Sequence, residues 1–61
     1  MKLFNDVNIL LSFINTKLRD NYKNLESLCD DLEIDENELK ERLATINYYY
    51  DEKYNAFIFK K

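Results

Sequence analysis

Residues 25–46 read LESLCDDLEIDENELKERLATI, with apolar side chains at Leu25, Leu28, Cys29 and Leu32 and again at Leu39, Leu43 and Ile46. Steps of three and four residues predict two short helices, about 25–32 and 36–46, sharing one core. Ile34 and Asp35 interrupt the pattern, and Asp35 with Glu38 has the spacing of a capping box that starts the second helix. This is helix-turn-helix spacing. The tight turn of such units often carries Gly, so Glu33 in that place predicts a turn that is longer or differently shaped than in DNA readers. Asn24 is the expected cap of the first helix of the pair, with Glu26 in its first turn.

Upstream, Asn5 or Asp6 starts a helix of about 6–20. Val7, Leu10, Leu11, Ile14 and Leu18 fall on one stripe of it, the expected core face, with Asn8, Ser12, Asn15 and Arg19 beside them. Ile9 and Phe13 sit about half a turn away from that core. Two readings stand for them: the C-terminal hairpin covers them, or they form a subunit interface. Lys17, Arg19 and Lys23 cluster at the helix end, where cations suit the dipole and face the acidic segment that follows.

Downstream, aromatic alternation predicts a β-hairpin, about 48–51 and 56–59, with its turn at 51–55. Tyr48 and Tyr50 then share a face with Phe57 and Phe59, which is expected to close the core, while Tyr49 and Ile58 face the other way. Tyr49, Tyr54 and Ile58 offer surface to a peptide or a base, although cross-strand packing accounts for them. Without a single Gly or Pro, the turns fall to Asn and Asp, and Asn21, Asn47 and Asn55 are the expected left-handed residues. Asn47 stands where a C-cap Gly ordinarily stops a helix.

Sixty-one residues make a single domain, 1–61, that is 46% hydrophobic and 15% aromatic, which fits a packed core and not a disordered chain. So short a chain buries only ~60% of its unfolded surface, and dimerisation is a natural supplement. One cysteine and no histidine leave no intrachain disulfide and no ordinary zinc site, so neither a metal nor a cofactor is expected. Cys29 falls on the core side, where many helix-turn-helix units place Ala, and reads as a packed, inert thiol. No apolar run approaches the ~20 residues of a membrane span, and Asn5, Asp6 and Asn8 interrupt any leader core after Lys2. The expected location is the cytoplasm.

The net charge of −3 is unevenly spread: residues 1–23 carry +2, residues 24–46 carry −6, and residues 47–61 carry +1. On a recognition helix at 36–46, Asn37 and Glu41 would meet base edges, yet Asp35, Glu36 and Glu38 crowd its start. Each carboxylate ~7 Å from a phosphate costs roughly 0.6 kcal/mol even in bulk water. Glu36 with Lys40, and Glu38 with Arg42, read instead as i,i+4 pairs on a solvated helix. Asp31, Glu33, Asp35 and Asn37 alternate as in a calcium loop, but Glu36 and Arg42 occupy the places that need Gly and Glu. Adjacent Asp30 and Asp31 diverge on a helix and make a poor acid–base pair. Without Gly-rich loops, histidine or a paired acid, enzyme activity has little support, and no enzyme is expected.

The runs Leu10-Leu11-Ser12-Phe13, Asn15-Thr16-Lys17-Leu18-Arg19-Asp20, Leu25-Glu26-Ser27-Leu28-Cys29 and Tyr48-Tyr49-Tyr50-Asp51, with Asn55 and Phe57, resemble a family of short bacterial proteins known as a domain of unknown function, number 4250. The chain departs from that pattern at Asn47, where Gly is usual, and the resemblance implies no activity and no site. Three helices and a hairpin also resemble a winged helix-turn-helix, which implies DNA binding by analogy of fold. The expected architecture is therefore α+β, mainly helical and winged helix-turn-helix-like. The expected function is a small non-catalytic protein-interaction module, with homodimerisation open, meeting its partner through Ile9, Phe13, Tyr49 and Ile58. The alternative is a DNA-binding protein of transcription-regulator type. Lys17, Arg19, Lys23, Lys53 and the tail lysines would then touch phosphates while Asn37 and Lys40 face the groove.

Overall fold

The computed structural model describes residues 4–61; Lys2, counted above among the basic groups, lies outside them. Helix α1 (Val7–Asp20) begins at Asp6, whose carboxylate accepts the N–H groups of Asn8 and Ile9 at 2.8 and 3.3 Å. Leu10, Ile14 and Leu18 repeat every four residues and are buried, with Val7 and Leu11 partly buried beside them. Its end uses one carbonyl twice: Lys17 O accepts from the N–H groups of Asn21 and Tyr22. Asn21 has φ −127°, so the expected left-handed turn does not form there.

Helix α2 (Leu25–Leu32) is capped by Asn24, which accepts from the Ser27 N–H at 2.7 Å, and buries Leu25, Leu28 and Cys29. Glu33 then takes the left-handed conformation, φ 56° and ψ 46°. Its N–H donates to Asp30 O and the Ile34 N–H to Cys29 O, the paired bonds of a Schellman ending. The turn is therefore compact and not lengthened, with Glu33 taking the left-handed place that Gly often fills. Left-handed geometry costs a residue with a Cβ roughly 1–2 kcal/mol, and the burial of Ile34 just beyond it offsets that cost.

Helix α3 (Glu36–Ala44) starts on Asp35, which accepts from the N–H groups of Asn37 and Glu38, and buries Leu39 and Leu43 completely. It stops at Ala44, two residues before the expected end at 46. Thr45, Ile46 and Asn47 donate to carbonyls three residues back, so the last turn tightens, and Asn47 reverses the chain at φ 64°. The expected Glu38–Arg42 pair is also corrected. The Arg42 guanidinium donates instead to the backbone carbonyls of Phe4 and Asn5, tying the start of the described chain to α3.

Strands β1 (Tyr48–Asp51) and β2 (Ala56–Phe59) pair antiparallel, with Tyr48 opposite Phe59, Tyr49 opposite Ile58 and Tyr50 opposite Phe57. Asp51 holds the turn by accepting from the N–H groups of Lys53 and Tyr54, and Asn55 closes it at φ 52°. Strand β2 runs beside α1 and β1 beside α3. Phe57 is buried in the one core cluster and Tyr48 and Tyr50 pack against it, while Phe59, expected to help close the core, remains exposed. The architecture is α+β, mainly helical: three helices followed by a two-stranded antiparallel hairpin.

Candidate interaction surface

The hairpin is seated by carboxamides. Asn15 on α1 accepts from the Phe57 N–H at 2.8 Å and donates to the Phe57 carbonyl at 3.0 Å, standing in for a neighbouring strand on the β2 edge. Asn55 donates to the carbonyls of Leu18 and Tyr22 at 3.1 and 2.9 Å and accepts from the Tyr50 hydroxyl at 2.7 Å. That hydroxyl in turn accepts from the Leu25 N–H at the start of α2. One asparagine thus links the hairpin turn to the end of α1 and, through Tyr50, to α2. Sequence reasoning placed Asn15 in a polar stripe and Asn55 in a turn; the long-range bonds leave no periodic signal.

This docking corrects the expected cover of α1. At 100° per residue Asn15 lies about 160° round the helix from Phe13, so the hairpin occupies the far side. Phe13 is covered by Phe4, with ring centroids 5.1 Å apart and planes at 86°, and by Lys17, whose Nζ lies 5.7 Å from the ring. Ile9 is left in solvent. The fractional exposures of Ile9, Tyr49, Tyr54 and Phe59 are 56, 43, 66 and 57%, which makes the hairpin the main bearer of exposed large apolar side chains. Tyr49 and Ile58, the candidates on its outer face, are direct cross-strand partners. Tyr54, also named from sequence as offered surface, is exposed in the turn, and Phe59, expected to help close the core, is exposed on the opposite face of the hairpin.

The candidate phosphate contacts are mostly engaged within the domain. Arg19 bonds Asp20 at 2.8 and 3.0 Å and holds that carboxyl below its ordinary range. Lys17 lies over Phe13 and Lys53 over Tyr54, and Lys40 meets Glu36 at 2.9 Å, a bond that raises the lysine pKa. Lys23 and Asn37 are exposed. Outward on α3, Asn37, Glu38 and Glu41 surround a helix start already occupied by the Asp35 cap.

Cys29 is 5% exposed, and burial pushes its thiol up to about 11, with Glu36 adding to the shift. A thiol so held is a poor nucleophile near neutral pH. Tyr22 donates its hydroxyl to Asp31, which ties the α1–α2 connection to α2 and raises the phenol pKa. Among the described residues no group of three or more His, Cys, Asp and Glu is placed to hold a metal ion, and no helix is long and apolar enough to cross a membrane.

Grooves flank the hairpin. One of about 710 Å³ lies toward α1 between Leu11, Ser12, Thr16 and Tyr54, and its carboxamides, Asn15 and Asn55, are those already spent on seating the hairpin. Two smaller ones, about 370 and 260 Å³, lie on the α3 side.

These features define a small, mainly helical α+β domain whose C-terminal hairpin carries most of its exposed aromatic surface. The chain belongs to the family described as Domain of unknown function (DUF4250), whose sequence model matches residues 4–57. No curated protein and no solved structure matches it.

Proposed function

We propose that this domain is a non-catalytic protein-interaction module whose first partner is a second copy of itself. The observation that carries the reading is the exposure of Tyr49, Tyr54 and Phe59 on a hairpin that projects aromatic area unused by its own core. Aromatic side chains are what protein interfaces favour, and a chain of this size gains stability by pairing. Lys17, Arg19, Lys40 and Lys53 are engaged inside the domain, which supports a protein partner over a phosphate backbone. The lone buried thiol suits action in a reducing compartment such as the cytoplasm.

The order of three helices and a hairpin favours a second reading, a winged helix-turn-helix DNA binder, by analogy of fold. Sedimentation equilibrium over a wide concentration range, run beside duplex DNA titrations across a salt series, separates the two. The expected result is a mass that rises toward two chains, with DNA affinity weak even at low salt. A monomer at every concentration overturns the self-association reading, and tight DNA binding with a steep salt slope puts the winged-helix reading in its place.

A further inference from the structure

The two grooves on the α3 side share Lys40, Tyr50 and Glu52 in their walls, so they adjoin along a single channelled face. Its lining is aromatic at one end, with Tyr49, Tyr50 and Phe57. At the other end Glu26, Glu36 and Glu52 surround Lys40. Three carboxylates against one ammonium leave that end net negative, and the ammonium is held by Glu36.

The same chain carries a segment of complementary chemistry. Strand β2 ends on exposed Phe59, followed by exposed Lys60 and Lys61. The Lys60 N–H donates to Asn47 O at 2.8 Å and keeps this end extended alongside β1. It is directed away from its own channel. Phe59 pairs with Tyr48 at the open end of the hairpin, three residues (about 10 Å) along the strand from the Ala56–Asp51 pair beside Glu52, and the lysines continue in the opposite direction. A channel and a tail that match but do not meet in one molecule fit two.

We propose that the Phe59–Lys60–Lys61 end of one copy docks in the α3–hairpin channel of a second copy. Phe59 lies against the Tyr49 and Tyr50 rings, and the lysines meet Glu26 and Glu52. Reciprocal docking closes a two-fold dimer in which a small contact is made twice. The inference rests on the self-association reading and adds the contact that performs it.

Two charge reversals test it by sedimentation equilibrium: K60E/K61E, which inverts the tail, and E26K/E52K, which inverts the channel. Each alone is expected to dimerise roughly tenfold more weakly or more, as loss of four solvent-exposed ion pairs, two at each of the two contacts, predicts. Mixed, each inverted tail meets an inverted channel and each native tail a native one, so a species of two chains returns. The F59A variant is expected to weaken the dimer at low and high salt alike, because its contribution is apolar. If circular dichroism shows E26K/E52K to be unfolded, E52K in the exposed turn replaces it in the mixture. Dimerisation that survives both reversals, or that both abolish without recovery on mixing, overturns this contact while leaving self-association through another surface. A monomeric native protein removes the reading on which it rests.

Discussion

Between the helices the contacts are apolar side chains with almost no residual exposure: Leu10 and Ile14 from α1, Leu25 and Leu28 from α2, Leu39 and Leu43 from α3. Between the hairpin and the helices they are the buried Phe57 ring with the partly buried Tyr48 and Tyr50 rings beside it, and, as directional bonds, the carboxamides of Asn15 and Asn55 and the Tyr50 hydroxyl. Burial is nondirectional and proportional to area, so the helical half draws its stability from patterning. Hydrogen bonds add little net stability each but demand geometry, so they decide where the hairpin sits. The helical half supplies the fold and the hairpin the surface.

Removing a core side chain tests the first half and carries the largest expected effect. Leu39→Ala should cost about 2–5 kcal/mol, much of the ~5–15 kcal/mol typical of a whole domain. In urea melts followed by circular dichroism, helices and hairpin should be lost together; a loss below about 1 kcal/mol would mean that α3 is not part of the common core. Asn55→Ala comes next, at about 1–3 kcal/mol, because it deletes the bonds to Leu18, Tyr22 and Tyr50 and forces Ala to φ 52°. Here the hairpin amides should lose hydrogen-exchange protection well before those of α1, and uniform loss across the chain would show that the two halves are not separable. Asn55→Gly keeps the backbone geometry and isolates the hydrogen bonds.

The smallest effect is the alkaline limb of stability. Burial raises the Cys29 thiol from 9.0 to about 11, so the folded state holds this proton more tightly than the unfolded chain does. Its contribution is fully present below pH 9.0 and is lost as pH climbs toward about 11. Cys29→Ala should flatten that part of the curve in thermal melts across the range; an unchanged slope would place the thiol outside the core.

Several features were legible in the residues because they are local. The α1 stripe, the Asn24 and Asp35 caps and the two hairpin strands with their turn follow from spacing and side-chain chemistry within a few positions. Other features escaped because two structures compete for the same group. Glu38 lies within reach of Arg42 on a helix, but an exposed ion pair is worth little, and the Phe4 and Asn5 carbonyls take the guanidinium. Glu33 turns left-handed and Asn21 does not, since the turn that returns Ile34 to the core sets the backbone at 33 while a shared carbonyl ends α1 at 21. Of the candidate surface, Tyr49 and Ile58 were found from alternation; Phe13 is covered by Phe4, and Phe59 lies outside, against Tyr48 at the open end of the hairpin.

The sequence by itself determined the three helices, the hairpin, the apolar faces and the acidic character of residues 24–46, because periodicity, capping and charge act over a turn or a strand. Only the tertiary structure decided the side of α1 on which the hairpin lies and which aromatic rings stay in solvent. Those outcomes depend on bonds such as Asn15 to Phe57, made across 42 positions of the chain, where shape and directionality select one arrangement among several of equal hydrophobicity.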